Sequence, residues 1–328
     1  IQPVKSMQEP PLLEWNRTYG GTARDWADGL VETTDGGYAL AGCTGFLGST
    51  NGDVWLIRTD SAGNALWNRT YGGTNDDEAW DLAKMEDGGF ALVGITSSFG
   101  AGGYDAWLIR TDSNGNQLWN RTYGGTSDDY GFDLVETSDG GYALTGQTGS
   151  FGAGSYDLWL VKTDASGNMQ WNKTYGGTND DWGCDLVEMA DGGYVMAGST
   201  SSFGAGGYDF WLIRTDADGN HIWNMTYGGT SYDLSAGLVA TRDGGYALVG
   251  RTESYGAGDI DIWLLKTNAT GNVQWSRTYG GFGKDLSHGG LVEMSDGGYA
   301  LVGHTNSFGA GDYDFWLIRT AADGNHIW

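Results

Sequence analysis

The chain has 328 residues, with 59 glycines, 3 prolines, 16 tryptophans and 18 tyrosines, and its 42 acidic against 17 basic side chains give a net charge of −25. Glycine without a three-residue period excludes collagen, and the aromatic content excludes a disordered chain. So acidic a surface repels phosphate backbones and anionic lipid, and no apolar run reaches the ~18–20 residues of a membrane helix; neither nucleic acid nor membrane insertion is expected.

Residues 1–11 read as a polar lead-in in which no signal peptide is visible. From residue 12 to residue 328 three ladders run in one phase. Trp15, Trp67, Trp119, Trp171, Trp223 and Trp275 stand 52 residues apart, each opening a segment like WNRTYGG; Trp328 follows after 53, one extra glycine entering near Gly289. Trp55, Trp107, Trp159, Trp211, Trp263 and Trp316 repeat in step, as does a DGGY or DGGF turn whose aspartates are Asp35, Asp87, Asp139, Asp191, Asp243 and Asp296.

Each copy parses into four short strands. In the second copy these are residues 78–85, then FALVGIT (90–96), DAWLIRT (105–111) and QLWNRTY (117–123). The first two are joined by Asp-Gly-Gly and the last two by Asp112-Ser-Asn-Gly-Asn116, tight hairpins in which glycine supplies a positive φ. Evenly spaced short strands with periodic glycine and aromatic motifs predict an all-β fold, a six-bladed β-propeller of four-stranded antiparallel blades forming a single domain over 12–328. Residues 12–19 have the sequence of a fourth strand, and residues 325–328 begin another. The N-terminal strand is therefore expected to complete the sixth blade, closing the ring and removing its edge. The tryptophans of strand three are expected to pack between blades. Cys43 and Cys184 fall in the first and fourth copies, too far apart across a ring for a disulfide, and read as free, buried thiols.

The turn and strand TDSAGNALW (59–67) and its copies resemble the tryptophan-docking motif of quinoprotein-type propellers, in which an aspartate, a glycine turn and a tryptophan lock adjacent blades. The whole repeat, with TYGG, DGGY and SFGAG, is similar to propeller repeats of archaeal and bacterial cell-surface proteins, which implies an extracellular or surface location. Quinoprotein dehydrogenases are usually eight-bladed and carry dedicated ligands. This sequence has six copies and no matching ligand set, so no cofactor is carried over.

Five fourth strands hold an N-glycosylation acceptor, at Asn16, Asn68, Asn120, Asn172 and Asn224, and a further one lies at Asn268 in a turn. Asp25, Asp77, Asp129, Asp181, Asp233 and Asp285 form a ring after TYGG; a second comprises Asp53, Asp105, Asp157, Asp209, Asp261 and Asp314. Six-fold repetition argues for structure, carboxylates accepting backbone N–H bonds, because a catalytic group is needed once. The Asp-x-x-Gly-Asn turns faintly resemble calcium loops but lack the distal glutamate and the ligand count; no metal is expected.

Function is sought where the copies differ. After TYGG, Trp26, Trp80, Tyr130, Trp182, Tyr232 and His288 stand in six different local sequences, and strand two varies at Cys43, Ile95, Gln147, Ser199, Arg251 and His304. These positions are expected to border one depression at the channel mouth, with Trp26, Trp80, Tyr130, Trp182, Tyr232, Arg251, His288 and His304 as ligand-binding residues. The reading is a non-catalytic interaction or scaffold module binding a protein or polysaccharide. The alternatives are a lectin-like module stacking Trp26, Trp182, Tyr130 and Tyr232 on sugars, and a hydrolase or lyase using His288, His304 and Arg251.

Overall fold

Every hairpin in the computed structural model returns the chain antiparallel beside itself, and 23 strands in six sheets result over the described residues, 15–46 and 52–328, with no helix among them. The blades span residues 24–71, 77–123, 129–175, 181–227, 233–279 and 285–319. The first five have four strands each and the sixth has three. The second blade stands for all: Asp77–Lys84 innermost, then Phe90–Thr96, Asp105–Thr111 and Gln117–Tyr123 outermost.

The two hairpin classes share one end of the ring, where a Cβ on Gly88 would meet Ser113 at 3.7 Å. Gly115 in the outer hairpin has a φ of +73°. Its position is fixed from outside as well: Trp67 of the first blade lies 2.6 Å from where its Cβ would be, and the Tyr71 hydroxyl donates to its carbonyl at 2.7 Å. Each outer strand thus docks on the next blade's turn, with Tyr123 on Gly167, Tyr175 on Gly219, Tyr227 on Gly271 and Tyr279 on Gly324. The expected blade-locking role of this turn is met. Beside it, Arg110–Asp87 at 2.6 Å and Lys162–Asp139 at 2.8 Å represent six equivalent ion pairs, each tying strand three to the inner hairpin.

The core lies between blades rather than within them. Val54 and Leu56 of the first blade pack with Leu92, Trp107 and Ile109 of the second, and Phe210 meets Trp263 at 4.7 Å across the fourth junction. Strand-three tryptophans are therefore inter-blade packing residues, as their alternation implied.

Ring closure is where the sequence reading needs correction. Residues 15–20 form no strand; Trp15 and Tyr19 dock on the first blade's turn at Gly63, as an outer strand does, but among the described residues they make no ladder with the sixth blade. Residues 12–14 of the expected closing strand lie outside the described residues. The sixth blade's edge is instead met by the residues that follow it in the chain: Ile327 N–H donates to the Arg319 carbonyl at 2.8 Å and Arg319 N–H to that of Trp328 at 3.1 Å. A hairpin through Gly324 closes a loop of a few residues, whereas the N-terminal strand must close one of some 300, and closure entropy favours the short loop. Among the described residues the seam between the sixth and first blades is not sealed as the other five junctions are. Phe315 is 100% exposed where its equivalent Phe210 is 0%, and Leu30 is 63% exposed where Leu82 is 3%.

Candidate functional site

The innermost strands carry the site, and a repeated irregularity builds it. In every blade the register with strand two slips by at least one residue, passing over Asp28, Trp80, Phe132, Cys184, Ala236 and His288. A β-bulge leaves its extra residue unpaired and re-aims the side chain. Here all six turn into one central cavity of about 470 Å³. The partner residue must be glycine: a Cβ on Gly94 would lie 1.9 Å from the Glu78 carbonyl oxygen, and on Gly146 1.8 Å from that of Tyr130. The sixth bulge is wider, because Gly289 and Gly290 follow His288.

Aromatic rings dominate one side. Trp80 stacks on Phe132 at 4.9 Å and on Tyr130 at 6.0 Å; Tyr130 in turn meets Tyr104 at 5.9 Å and Tyr156 at 6.1 Å. Trp182 borders an adjoining cavity of about 460 Å³ with Phe132, Gln147, Cys184 and His288. It also stacks on Tyr208 at 4.5 Å, and Tyr208 meets Tyr232 at 5.9 Å. Burial pushes the Cys184 thiol up, so it is a neutral apolar wall rather than a nucleophile. Cys43 is also free and buried, its thiol pushed up to about 12 by burial and by Glu78, Asp53, Asp76 and Asp25; Cys184 is only half-buried, which corrects the expectation of two interior thiols.

Beneath the aromatic tier lie Asp81, Asp133 and Asp185. Each accepts a backbone N–H from the next blade: Leu134 at 3.4 Å, Leu186 at 2.6 Å and Leu238 at 2.7 Å. Burial first, then the charges of Asp185 and Asp81, holds Asp133 well above the ordinary carboxylate range. These three were missed from sequence. Their signal was a ladder that is aspartate in three copies and glycine (Gly29, Gly237, Gly290) in the others.

The opposite side is basic. His288 stacks on His304 at 4.8 Å, and the Tyr313 ring meets His304 edge-on at 4.9 Å. Burial and the positive charges of His304 and Arg251 hold His288 below the usual imidazole range.

The expected binding residues thus divide. Trp80, Trp182 and His288 line the central cavities, and Tyr130 backs the aromatic wall. Arg251 and His304, half-buried, line neither cavity: His304 stacks on His288, and the charge of Arg251 acts on the same ring. Trp26 lies apart, in a cleft of about 240 Å³ on the first blade, under Arg24 at 5.3 Å. Tyr232 lines a separate rim pocket of about 450 Å³ with Tyr208, Asn179 and Asp180. One shared depression becomes three places: the bulged residues and Trp182 face the central cavities, whereas Trp26 and Tyr232, beside the bulges, line separate pockets.

The repeated polar residues are structural in geometry. Asp77 accepts from Gly73 N–H at 2.8 Å and Ser98 hydroxyl at 2.7 Å, stapling the TYGG and SFG loops; Asp129, Asp181, Asp233 and Asp285 repeat this, and Asp25 accepts from Gly21. Asp105 accepts from Ala101 N–H at 2.8 Å. The turn aspartates are already occupied: Asp60 accepts from Ala62, Asn64 and the Asn64 side chain. Asn68, Asn120, Asn172 and Asn224 each accept the indole N–H of a strand-three tryptophan at 3.1–3.3 Å, which explains the asparagine ladder as packing; Asn16 is exposed, and Asn268 accepts within its own turn. Among the described residues no group of three or more His, Cys, Asp or Glu side chains is placed to hold a metal.

No family model matches this chain. It is 25% identical over 282 residues to the regulatory protein FlaEY of Caulobacter vibrioides, an alignment covering 78% of this chain and 29% of that protein, so the chain spans under a third of that relative. In solved structures it superposes on the Chaetomium thermophilum protein Sqt1 bound to the N-terminus of ribosomal protein L10, with a TM-score of 0.52 and 12% identity, over 94% of this chain and 75% of that one. A puromycin hydrolase S511A mutant complexed with PGG gives a TM-score of 0.56 and 13% identity, over 91% of this chain and 44% of that one. At such identities these likenesses show the fold, a β-propeller, and nothing finer.

Proposed function

We propose that the chain is a non-catalytic interaction module that takes a segment of a partner protein into the channel mouth. The carrying observation is the set of six bulges. Five junctions are held alike by the same glycines, aspartates and tryptophans, while the side chains aimed into the cavity are six different ones. Apolar Phe132, Trp182, Cys184 and Ala236 in one wall suit a peptide's side chains better than a hydroxyl-rich sugar. Proteins of this fold bind peptides, Sqt1 with the L10 N-terminus among them.

The test is a peptide-display selection on the intact protein. Selected binders should lose at least tenfold in affinity on Phe132→Ala and Trp182→Ala, and nothing on Asn114→Ala at the other end of the ring. Binders indifferent to both mouth variants would refute the reading.

A second reading, sugar binding, is favoured by the rim pocket, where Tyr208 and Tyr232 supply stacking faces beside Asn179 and Asp180. A glycan array with hits lost on Tyr232→Ala would establish it. Display at a cell surface is supported by the likeness of the repeat to surface propellers and by the Asn-x-Thr acceptors, of which Asn16, Asn68 and Asn224 are exposed. Intact mass of native material showing added sugar would bear this out, and an unmodified mass would remove that support.

A further inference from the structure

Arg251 is a strand-two cation in a chain with 42 acidic side chains against 17 basic ones. The strand-three cations of all six blades are each committed to an aspartate. Arg251, half-buried on strand two of the fifth blade, makes no ion pair among the described residues. Its equivalent in the sixth blade is His304, which stacks on His288 at 4.8 Å. Of these residues His288 lines the central cavity, with His304 stacked behind it and Arg251 near enough for its charge to act on the His288 ring, so three groups that are cationic or can become so stand together beside that cavity.

Asp28, Asp81, Asp133 and Asp185 line the same cavity, yet none of them forms an ion pair with the three groups among the described residues. Like charges close together repel one another, and a half-buried guanidinium has lost part of its hydration without gaining an ion-pair partner. An anion inserted beside them removes both penalties. The guanidinium fork and the imidazole N–H groups are donors suited to a planar carboxylate. The surrounding net charge of −25 opposes free anions at long range, so a carboxylate is best delivered by a partner held through other contacts. Apolar Phe132, Trp182 and Ala236, which line the adjoining cavity together with His288, supply those contacts.

We propose that Arg251, His288 and His304 form a carboxylate-binding subsite that reads an acidic side chain or the C-terminal carboxylate of the protein segment held in the mouth. The inference rests on the mouth being the binding face and adds the charge of what it takes. Tyr313 packs edge-on against the His304 ring at 4.9 Å.

The test follows the His288 and His304 ring signals by NMR in the intact protein, during titration with four probes. These are Ac-Ala-Glu-Ala-NH2, Ac-Ala-Ala-Ala-OH, the neutral Ac-Ala-Gln-Ala-NH2 and galacturonate. Both imidazoles should respond to at least one carboxylate peptide and not to the glutamine peptide. Arg251→Gln should weaken that response at least tenfold, and Arg251→Lys, which keeps the charge but loses the fork, by less. Equal responses to the glutamate and glutamine peptides, or indifference to Arg251→Gln in a folded variant, would overturn the subsite. A response to galacturonate alone would overturn the assignment to a protein carboxylate. Display-selected binders that need Phe132 and Trp182 but not Arg251 would leave the mouth reading standing and remove this one; dependence on none of them would remove both.

Discussion

The indole of Trp80 lies nearly parallel to the ring of Phe132, 4.9 Å away and tilted by 20°, although the two belong to different blades. Tyr130 lies parallel to both, at 6.0 and 6.1 Å. Two bulges at one motif position are what bring the first two rings together.

The stack forms a ready wall at the mouth, and its members are half-buried rather than core. Trp80→Ala should therefore lower affinity for mouth-dependent peptides at least tenfold while shifting Tm by only a few degrees, since a stacked pair contributes about 0.5–1.5 kcal/mol beyond its burial. Titration calorimetry with thermal melts of the same samples separates the two effects. A large loss of Tm with unchanged affinity would make the stack a packing element only.

The seam yields a paired test at one motif position. Phe210 is 0% exposed against Trp263, whereas Phe315 is fully exposed. Phe210→Ala should destabilise by about 3–5 kcal/mol, the usual result of emptying a buried aromatic site. Phe315→Ala should change stability by less than about 0.5 kcal/mol. Urea unfolding of both variants decides it; equal losses would mean that the sixth and first blades seal in solution.

Burial pushes the Asp105 carboxyl up to about 6; the Ala101 N–H opposes this and the charges of Asp129 and Asp128 add to it. The unfolded value is about 3.9. The folded state thus holds this proton more tightly, so the group's stabilising contribution is complete below about pH 4 and is lost as pH rises through about 6. Asp105→Asn removes the titration and keeps an acceptor for Ala101. It should raise Tm by a few degrees at pH 8 and give no gain at pH 4. An equal gain at both pH values would trace the effect to packing instead.

Much of this fold was legible because its repeat states each packing rule six times. The hairpin glycines, the docking tryptophans and the loop-stapling aspartates all stood at the places the structure uses. The mouth was legible only as variability. Which residue of Trp80, Glu78 or Asp81 faces the channel depends on a bulge, and a one-residue slip exchanges the two faces of a strand. The glycine ladder at Gly42, Gly94, Gly146, Gly198, Gly250 and Gly303 marks that bulge, yet it reads equally as an ordinary small residue until the facing carbonyl is seen. Closure was misjudged for another reason: the repeat says which strand fits beside the sixth blade, not which copy of it arrives first.

The docking turn separates backbone strain from inter-blade packing. Gly88 and Gly115 both have positive φ, +82° and +73°, so alanine at either meets the same left-handed penalty of roughly 1–2 kcal/mol. Their surroundings differ. A Cβ on Gly88 would find only Ser113 at 3.7 Å, whereas one on Gly115 would stand 2.6 Å from the Trp67 ring of the preceding blade. Gly88→Ala should therefore lose about 1 kcal/mol, and Gly115→Ala about 1–3 kcal/mol more, because the indole must leave its seat. Arg69 Cγ would lie 2.8 Å from the same Cβ but belongs to a flexible side chain, so in a Trp67→Ala background most of the excess at Gly115 should vanish while the loss at Gly88 stays the same, a coupling that a double-mutant cycle in urea measures directly. An excess that survives removal of both Trp67 and the Arg69 side chain would show that the turn is strained in its own right and that the tryptophan merely covers it.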